Sequence, residues 1–241
     1  MIRTILAFTL VIFFFFFTIP VLFIFWIIGK FNMKLHDTLA YGLMKIAFTI
    51  ILFVCGTKVK VIGLEKIPTD RPVLYVGNHR SYFDIIVLYR YVVGPTGFMA
   101  KKEFKSVPVL GHWISCLHGI FLDRKDIKQG LKAILEAIEN VKTKGISYSI
   151  FPEGTRNHEK EMLPFKEGSM KIATKSGCPI IPVALTHTDD AFENSLPRIK
   201  SVNVTIQFGD PIYTDQLSRD DLKFLGAKVR DNIQNMLSEM D

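Results

Sequence analysis

The fold is decided by one stretch, VLYVGNHRSYFD, which runs from Val73 to Asp84. Its first part, residues 73–77, is a short apolar run of the kind that forms a buried strand. The chain after Asp84 is apolar again and predicts the start of a helix. His79 therefore lies where a strand leaves a sheet and a helix begins, which is where α/β proteins place their chemistry.

Two interpretations of this stretch are open on its residues alone. His79 and Asp84 are five positions apart, and a regular helix would set them about 140° apart around its axis. They can touch if His79 lies on the loop and Asp84 in the first helical turn, and the carboxylate then leaves one imidazole nitrogen free as a base. In the other interpretation, Ser81 caps a helix and His79 is a surface residue.

The composition favours a protein that binds lipid and phosphate groups. The 241 residues carry a formal net charge of +7, and basic chains bind nucleic acid, anionic lipid or phosphorylated substrates. The sequence contains no nucleic-acid motif and no basic runs interleaved with aromatic residues, so we predict no nucleic-acid partner. The three cysteines are isolated in sequence, which argues against a disulfide framework and fits a reducing compartment.

Much of the apolar excess lies near the start of the chain. Residues 5–28 carry no charge, and as a helix they would be about 36 Å long, enough to cross a bilayer core of roughly 30 Å. Pro20 predicts a kink in this helix. A second apolar run, residues 39–55, is interrupted by Lys45 and would measure about 26 Å.

Two membrane architectures fit these runs. One is a transmembrane hairpin, and the other is a pair of helices sunk into one leaflet with Lys45 reaching out toward water. We favour the second because of Pro20 and Lys45. Residues 1–56 are accordingly predicted to form a two-helix membrane anchor.

From residue 57 onward, short strand patterns alternate with helical ones, which predicts an α/β fold. We expect residues 57–241 to form a single α/β domain with a central mixed, largely parallel sheet flanked by helices. Asp126 is expected to cap a helix. The apolar face expected for that helix consists of Ile127, Leu131, Ile134, Leu135, Ile138 and Val141. Two prolines within residues 179–185 predict a strand that is irregular or near an edge of the sheet.

Polar residues follow several predicted strands at the point where each strand ends. They are His79 with Asp84, then Lys101, Arg124, and Glu153-Gly154-Thr155-Arg156. Because the carboxyl ends of parallel strands meet at one edge of a sheet, these residues can line a single crevice. Two guanidinium groups beside a glycine turn suit a phosphate monoester. A single arginine is more typical of a surface ion pair, and it is the recurrence at several strand ends that favours a phosphate site.

Four blocks in this order resemble the motifs of the glycerophospholipid acyltransferases. Asn78-His79 with Asp84 is similar to the HxxxxD motif of that family. The later blocks are Gly119-Ile120-Phe121-Leu122-Asp123-Arg124, Phe151-Pro152-Glu153-Gly154-Thr155-Arg156 and Ile181-Pro182-Val183-Ala184. Any one block is a weak signal, whereas four in the right order are a strong one. The chain length and the N-terminal apolar segment resemble the bacterial 1-acylglycerol-3-phosphate members.

The resemblance implies a membrane enzyme with residues 57–241 as its catalytic domain. Such an enzyme moves a fatty acyl group from acyl-ACP or acyl-CoA to the sn-2 hydroxyl of 1-acyl-sn-glycerol 3-phosphate (lysophosphatidic acid), which gives phosphatidic acid. His79 would be the general base, and Asp84 would orient its imidazole. The residues that would bind the acceptor are Arg124, Glu153, Gly154, Thr155, Arg156 and Lys101.

No cofactor and no metal are expected, and the thioester is a substrate. The absence of a GxSxG motif favours direct transfer without a seryl-enzyme intermediate. The implied location is the cytoplasmic or inner membrane, with the catalytic domain on the cytoplasmic face and membrane lipids as partners.

Three alternatives remain at this point. The acceptor could instead be glycerol 3-phosphate or another lysophospholipid. A zinc hydrolase would use His79 and Asp84 with His112, Cys116 and His118, although no zinc signature is present. A non-catalytic membrane-binding protein would use only the basic surface and the apolar anchor.

Overall fold

A computed structural model describes residues 1–123, 126–157, 159 and 161–240. The helices in the described residues are α1 Ile2–Phe17, α2 Ile19–Phe31, α3 Met33–Cys55, α4 Phe83–Tyr91, α5 Leu110–Cys116, α6 Ile127–Lys144, α7 Lys171–Ser176, α8 Arg219–Lys223 and α9 Leu225–Met240. The strands are β1 Lys58–Ile62, β2 Leu74–Gly77, β3 Thr96–Lys101, β4 Ile120–Leu122, β5 Ser147–Ile150, β6 Ile180–Thr186 and β7 Asn203–Phe208.

The strands form one sheet in the order β1-β7-β6-β2-β5-β3-β4. Among the strands of the described residues, only β6 and β7 pair antiparallel, and the other neighbours pair parallel. The predicted fold class, an α/β domain around a mixed and largely parallel sheet, is confirmed. The carboxyl ends of β2, β5, β3 and β4 lie at one edge, and that edge carries the candidate site.

Each face of the sheet supports its own core, because successive side chains on a strand point to opposite faces. Tyr75 packs on the face that α1–α5 cover, together with inward residues of the N-terminal helices such as Ala40 and Leu52. Leu74 and Val76 pack on the other face, under α6, α7 and α9. The N-terminal helices therefore share a hydrophobic core with the sheet.

Residues 179–185 were expected to form a strand that is irregular or near an edge, and this expectation was wrong. β6 is an interior strand, buried along its whole length, with β2 on one side and β7 on the other. Pro182 lies opposite Val76 in the parallel register, and its carbonyl accepts the Gly209 N–H at 2.8 Å. A proline removes only one donor from the ladder, so the remaining bonds hold the strand in the sheet.

The helix predicted after Asp126 is present, and the Asp126 carboxylate caps it by accepting the N–H groups of Lys128 and Gln129. Its expected apolar face was partly wrong. Of the expected residues, Val141, Ile134 and Ile138 do pack against this core, and Ala133 and Ala137 are buried beside them. The large residues Ile127, Leu131 and Leu135 are exposed. Small side chains let a helix approach a sheet closely, and a pattern of large apolar residues does not reveal this.

The kink expected at Pro20 occurs as a break at Thr18, where α1 and α2 meet at an angle of 48°. Pro20 lies in the first turn of α2, where its missing N–H costs no helical bond. By length and composition, α3 could cross a membrane, and so could α1 and α2 taken as one bent span. The exposed apolar surface of these helices includes Phe8, Ile12, Phe13, Phe16, Phe17, Phe23, Trp26, Phe31, Ile46, Ile50 and Phe53.

The expectation that Lys45 reaches out toward water was wrong. Its ammonium donates a 2.7 Å hydrogen bond to the Val92 carbonyl just after the end of α4, and the side chain is half-buried between α3 and the sheet domain. A cation near a helix C-terminus satisfies an otherwise unpaired carbonyl and complements the helix dipole. Lys45 thus ties α3 to α4, and it no longer supports the one-leaflet arrangement.

Candidate active site

His79 and Asp84 meet at the turn between β2 and α4. His79 Nδ1 lies 2.8 Å from Asp84 Oδ2, with His79 on the loop and Asp84 in the first turn of α4. The Asp84 side chain is fully buried and the His79 side chain is 8% exposed. Because an ionised carboxylate only accepts, the proton of this bond resides on Nδ1, and Nε2 is left as the basic nitrogen.

Asp84 accepts hydrogen bonds from three further groups besides His79. Its Oδ2 also receives the backbone N–H groups of Arg80 at 2.7 Å and Ser81 at 2.8 Å. Its Oδ1 receives the hydroxyl of Thr188, which follows β6. Four donors on its two oxygens hold the carboxylate in place. This arrangement supplies a fixed negative charge behind the imidazole.

The backbone of His79 is fixed from a second strand end. Its N–H donates to Glu153 Oε1 at 2.8 Å, and its carbonyl accepts the Asn157 N–H at 2.7 Å. Glu153 Oε2 accepts the Leu163 N–H at 3.0 Å. Glu153 is buried, so both of its oxygens are engaged in holding two loops together.

The His79 ring has a defined orientation. It stacks on Phe151 at a centroid distance of 4.3 Å and an interplanar angle of 16°. Within the part of the chain that the structure describes, Nε2 has no hydrogen-bond partner. Ser81 Oγ accepts the Phe83 N–H at 2.9 Å, but the residue that precedes α4 is Tyr82, and the helix has no side-chain cap among the described residues. His79 is not a surface residue either.

Arg156 lies on the side of the turn that carries Tyr82. Its guanidinium is 3.9 Å above the Tyr82 ring centroid, and its Nη1 is 3.2 Å from Glu193 Oε1. About a third of the side chain, 32%, remains exposed. Glu193 also accepts the Ser81 hydroxyl at 2.6 Å and the Tyr82 N–H at 2.9 Å. One buried carboxylate therefore joins the histidine loop to the arginine.

Gly154 has φ +76, and a Cβ placed there would lie 2.6 Å from Lys166 Nζ. This position needs glycine for its left-handed backbone conformation, and the flexible end of the lysine that lies across it would have to shift to admit a Cβ. Lys166 is exposed. It adds a cation beside the Glu153–Arg156 segment that the sequence prediction did not include.

The other predicted binding residues are less closely tied to the histidine. Lys101 ends β3, where it pairs with Glu103 at 3.2 Å and stays 53% exposed. Thr155 is exposed. Arg124 lies outside the described residues.

The segment after β6 was missed by sequence reasoning. In this segment, the Thr188 hydroxyl donates to Asp84, and the Asp189 carboxylate pairs with Arg80 at 3.2 Å. The Glu193 carboxylate accepts the Ser81 hydroxyl. Within the same segment, a hydrogen bond from the Asn194 side chain lowers the pKa of Asp190 below its usual value of 3.8. The only sequence signal was a cluster of Thr, Asp and Glu immediately after the fourth block.

The metal alternative gains no support. Among the described residues, no group of three or more His, Cys, Asp or Glu side chains could hold a metal ion. His118 Nε2 bonds Asp37 at 2.8 Å, and the Cys116 sulfur contacts the His36 ring. These contacts join α3 to the segment around α5.

The comparisons with known proteins identify the family. The family model described as Acyltransferase matches residues 58–186, which contain the histidine turn and the segment from Glu153 to Arg156. The chain belongs to this family.

Named relatives are similar over most of the chain. The 1-acyl-sn-glycerol-3-phosphate acyltransferase of Saccharomyces cerevisiae is 34% identical over 188 residues, which cover 77% of this chain and 61% of the yeast protein. The protein of the same name from Borreliella burgdorferi is 31% identical over 199 residues, which cover 83% of this chain and 79% of that protein. The matched part is therefore less than two thirds of the yeast relative's length.

A solved structure has the same fold. The 1-acyl-sn-glycerophosphate (LPA) acyltransferase of Thermotoga maritima superposes with a TM-score of 0.76 over 99% of both chains, at 24% identity. The match includes the N-terminal helices as well as the sheet domain.

Proposed function

We propose that this protein transfers a fatty acyl group from an acyl thioester to the sn-2 hydroxyl of 1-acyl-sn-glycerol 3-phosphate, forming phosphatidic acid. The observation that carries the proposal is the buried 2.8 Å contact between His79 Nδ1 and Asp84, which leaves Nε2 as a base. The names of the yeast and Borreliella relatives supply the acceptor.

In the proposed reaction, His79 Nε2 takes the proton of the acceptor hydroxyl while its oxygen attacks the thioester carbonyl. Collapse of the tetrahedral intermediate breaks the C–S bond, and the imidazolium returns the proton to the leaving thiolate. The products are the new ester and the free thiol of CoA or acyl carrier protein. Asp84 holds the Nδ1–H tautomer and stabilises the imidazolium, and positioned proton transfer of this kind contributes about 10²–10⁴-fold.

We propose that the cations beside the histidine loop bind the acceptor phosphate. Arg156 offers a guanidinium whose fork matches phosphate oxygens, and Lys166 and Lys101 add point charges. Arg124 is proposed to contribute on the basis of its block alone. Gly154 and Thr155 offer a close backbone approach and a hydroxyl. Glu153 receives a positioning role, because both of its oxygens bind backbone N–H groups.

We further propose that the enzyme works at the cytoplasmic or inner membrane, with the sheet domain on the cytoplasmic face. The support is the large exposed apolar surface of α1, α2 and α3, which would be costly in water. Acceptor and product carry acyl chains with the same cost, about 0.8 kcal/mol per CH₂. An anchor beside the site lets these chains stay in an apolar medium.

An acceptor matrix tests the function. The purified full chain in mixed micelles receives acyl-CoA or acyl-ACP with lysophosphatidic acid, glycerol 3-phosphate or lysophosphatidylcholine, and products are measured by mass spectrometry. We expect phosphatidic acid from lysophosphatidic acid, and none from the His79→Ala variant. Acylation of glycerol 3-phosphate or lysophosphatidylcholine in preference to lysophosphatidic acid would assign the other acceptor. No transfer to any acceptor would reject an acyltransferase.

A further inference from the structure

We propose that Thr188 is a positioning residue for the base, acting through Asp84. The expected effect on kinetics rests on the proposed function, whereas the expected effect on the His79–Asp84 bond rests on the geometry alone. Thr188 is fully buried and comes just after the end of β6. Its hydroxyl donates to Asp84 Oδ1, the one carboxylate oxygen that His79 does not contact.

The two oxygens of Asp84 receive different kinds of donor. Oδ2 takes His79 Nδ1 and two backbone N–H groups, all from the turn that contains Asp84 itself. Oδ1 takes a side chain 104 residues away. Rotation about the Cβ–Cγ bond moves both oxygens, and the donor on Oδ1 adds a restraint on this rotation from a distant segment to the local donors on Oδ2. The Thr188 hydroxyl therefore sets the direction in which Oδ2 faces the imidazole.

The segment that carries Thr188 is anchored to the same turn at two further points. Asp189 Oδ2 is 3.2 Å from Arg80 Nε, and Glu193 accepts the Ser81 hydroxyl at 2.6 Å. These contacts hold Thr188 in position beside Asp84 when a bulky lipid binds to the exposed part of the site. A hydroxyl that served only to fill buried space would not need this alignment.

Removing the hydroxyl has a defined consequence. Thr188→Val keeps the shape of the side chain but leaves Oδ1 buried without a donor, since Asp84 is fully buried. Such an oxygen is costly, and we expect the carboxylate to turn toward another donor. This change weakens the bond to His79 Nδ1 without touching the residues that bind the acceptor.

The first test is steady-state kinetics of Thr188→Val and Thr188→Ser with lysophosphatidic acid. We expect Thr188→Val to lower kcat by about 10–100-fold, the effect of losing one hydrogen bond to a charged group, with acceptor and donor KM within about twofold. Thr188→Ser, which keeps the hydroxyl, should recover most of kcat. The matched control is Thr186→Val, a buried threonine two residues earlier, at the end of β6, whose hydroxyl accepts the Thr205 N–H instead.

A kcat for Thr188→Val within about threefold of wild type would overturn the inference. So would equal losses in the valine and serine variants, or a change in KM as large as that in kcat. If Thr188→Val does not fold, Thr188→Ala compared with Thr188→Ser gives the same contrast between absence and presence of the hydroxyl.

The second test needs no substrate and separates this inference from the proposed function. In the full chain in detergent, the His79 Nδ1–H should give a downfield proton resonance that is absent from His79→Ala. We expect this resonance to shift or broaden in Thr188→Val and to return in Thr188→Ser. An unchanged resonance in Thr188→Val would overturn the inference even if the protein proved to have a different activity.

Discussion

The two halves of the site are held in different ways. The base half, His79 with Asp84, is almost wholly buried, with side chains 8% and 0% exposed. The cation half leaves 32% of Arg156 and 53% of Lys101 open to solvent. Asp84 has four hydrogen-bond donors, whereas Arg156 has one carboxylate and one aromatic ring.

This difference follows from what each half has to do. A general base has to meet one hydroxyl at one angle, and small errors in its position are costly, so the fold fixes it before substrate arrives. A phosphate on a mobile lipid can be met by exposed side chains, because charge attraction tolerates variation in position. The comparison predicts that changes in the base half lower kcat and stability together. Changes in the cation half should act on acceptor KM.

The largest effect should come from Asp84→Ala. The change leaves His79 Nδ1, two backbone N–H groups and the Thr188 hydroxyl without their acceptor. We expect kcat to fall by about 10²–10⁴-fold and the free energy of unfolding by about 3–5 kcal/mol. Asp215→Asn, on an exposed carboxylate, is the control for urea unfolding. Unchanged stability in Asp84→Ala would break the contrast between the halves.

A smaller loss should follow from Gly154→Ala in the cation half. A left-handed φ costs a residue with a Cβ about 1–2 kcal/mol, and the Cβ would also meet Lys166 Nζ. In the double variant Gly154→Ala/Lys166→Ala, the cost of the contact with Lys166 should disappear and the backbone cost should remain. Gly168→Ala is the matched control, since a Cβ there meets nothing within 4 Å. Thermal unfolding of the three variants measures both contributions, and a neutral Gly154→Ala would reject the backbone argument.

Glu193→Gln tests the link between the halves. It keeps one acceptor oxygen, which can serve either the Ser81 hydroxyl or the Tyr82 N–H, and it removes the charge that faces Arg156. Because Arg156 is partly exposed, we expect a loss of about 1 kcal/mol or less in stability. Acceptor KM should change by only a few-fold. Glu193→Ala should lower kcat as well, since Ser81 then loses its acceptor. Identical kinetics for the two variants would show that the carboxylate does not couple the halves.

The smallest effect concerns pH. The Asn194 hydrogen bond lowers the pKa of Asp190 in the folded state. A carboxyl with a depressed folded-state pKa stabilises the fold above its unfolded pKa, near 3.8, and this contribution disappears as the pH falls through the folded-state value. Asp190→Asn should therefore lower Tm slightly at about pH 6 and make no difference near about pH 2.5. A Tm difference that grows on acidification would contradict this sign.

Local patterns in the sequence predicted much of this structure. The strand before Asn78, the cap at Asp126 and the turn that brings Asp84 to His79 all depend on neighbours in the chain. Contacts between distant segments could not be read in the same way. Nothing near Thr188 indicates that its partner lies 104 residues earlier.

The wrong expectations have a common origin in tertiary packing. Lys45 was expected to meet water because lysines in apolar runs usually do, but the Val92 carbonyl, just after the end of α4, lies at that point. Pro182 was expected near an edge because proline lacks a donor, but β2 and β7 together supply enough bonds for an interior strand. In α6, alanines face the sheet and leucines face outward. In each case, the neighbouring element decided the outcome.

The most direct test of the account compares His79→Gln and Arg156→Gln on lysophosphatidic acid, with folding verified by thermal unfolding. We predict that His79→Gln lowers kcat by about 10²–10⁴-fold with acceptor KM within about threefold. Arg156→Gln should raise acceptor KM by about tenfold or more, with kcat nearly unchanged. A folded His79→Gln variant with near wild-type kcat would contradict the central claim that this buried imidazole is the base.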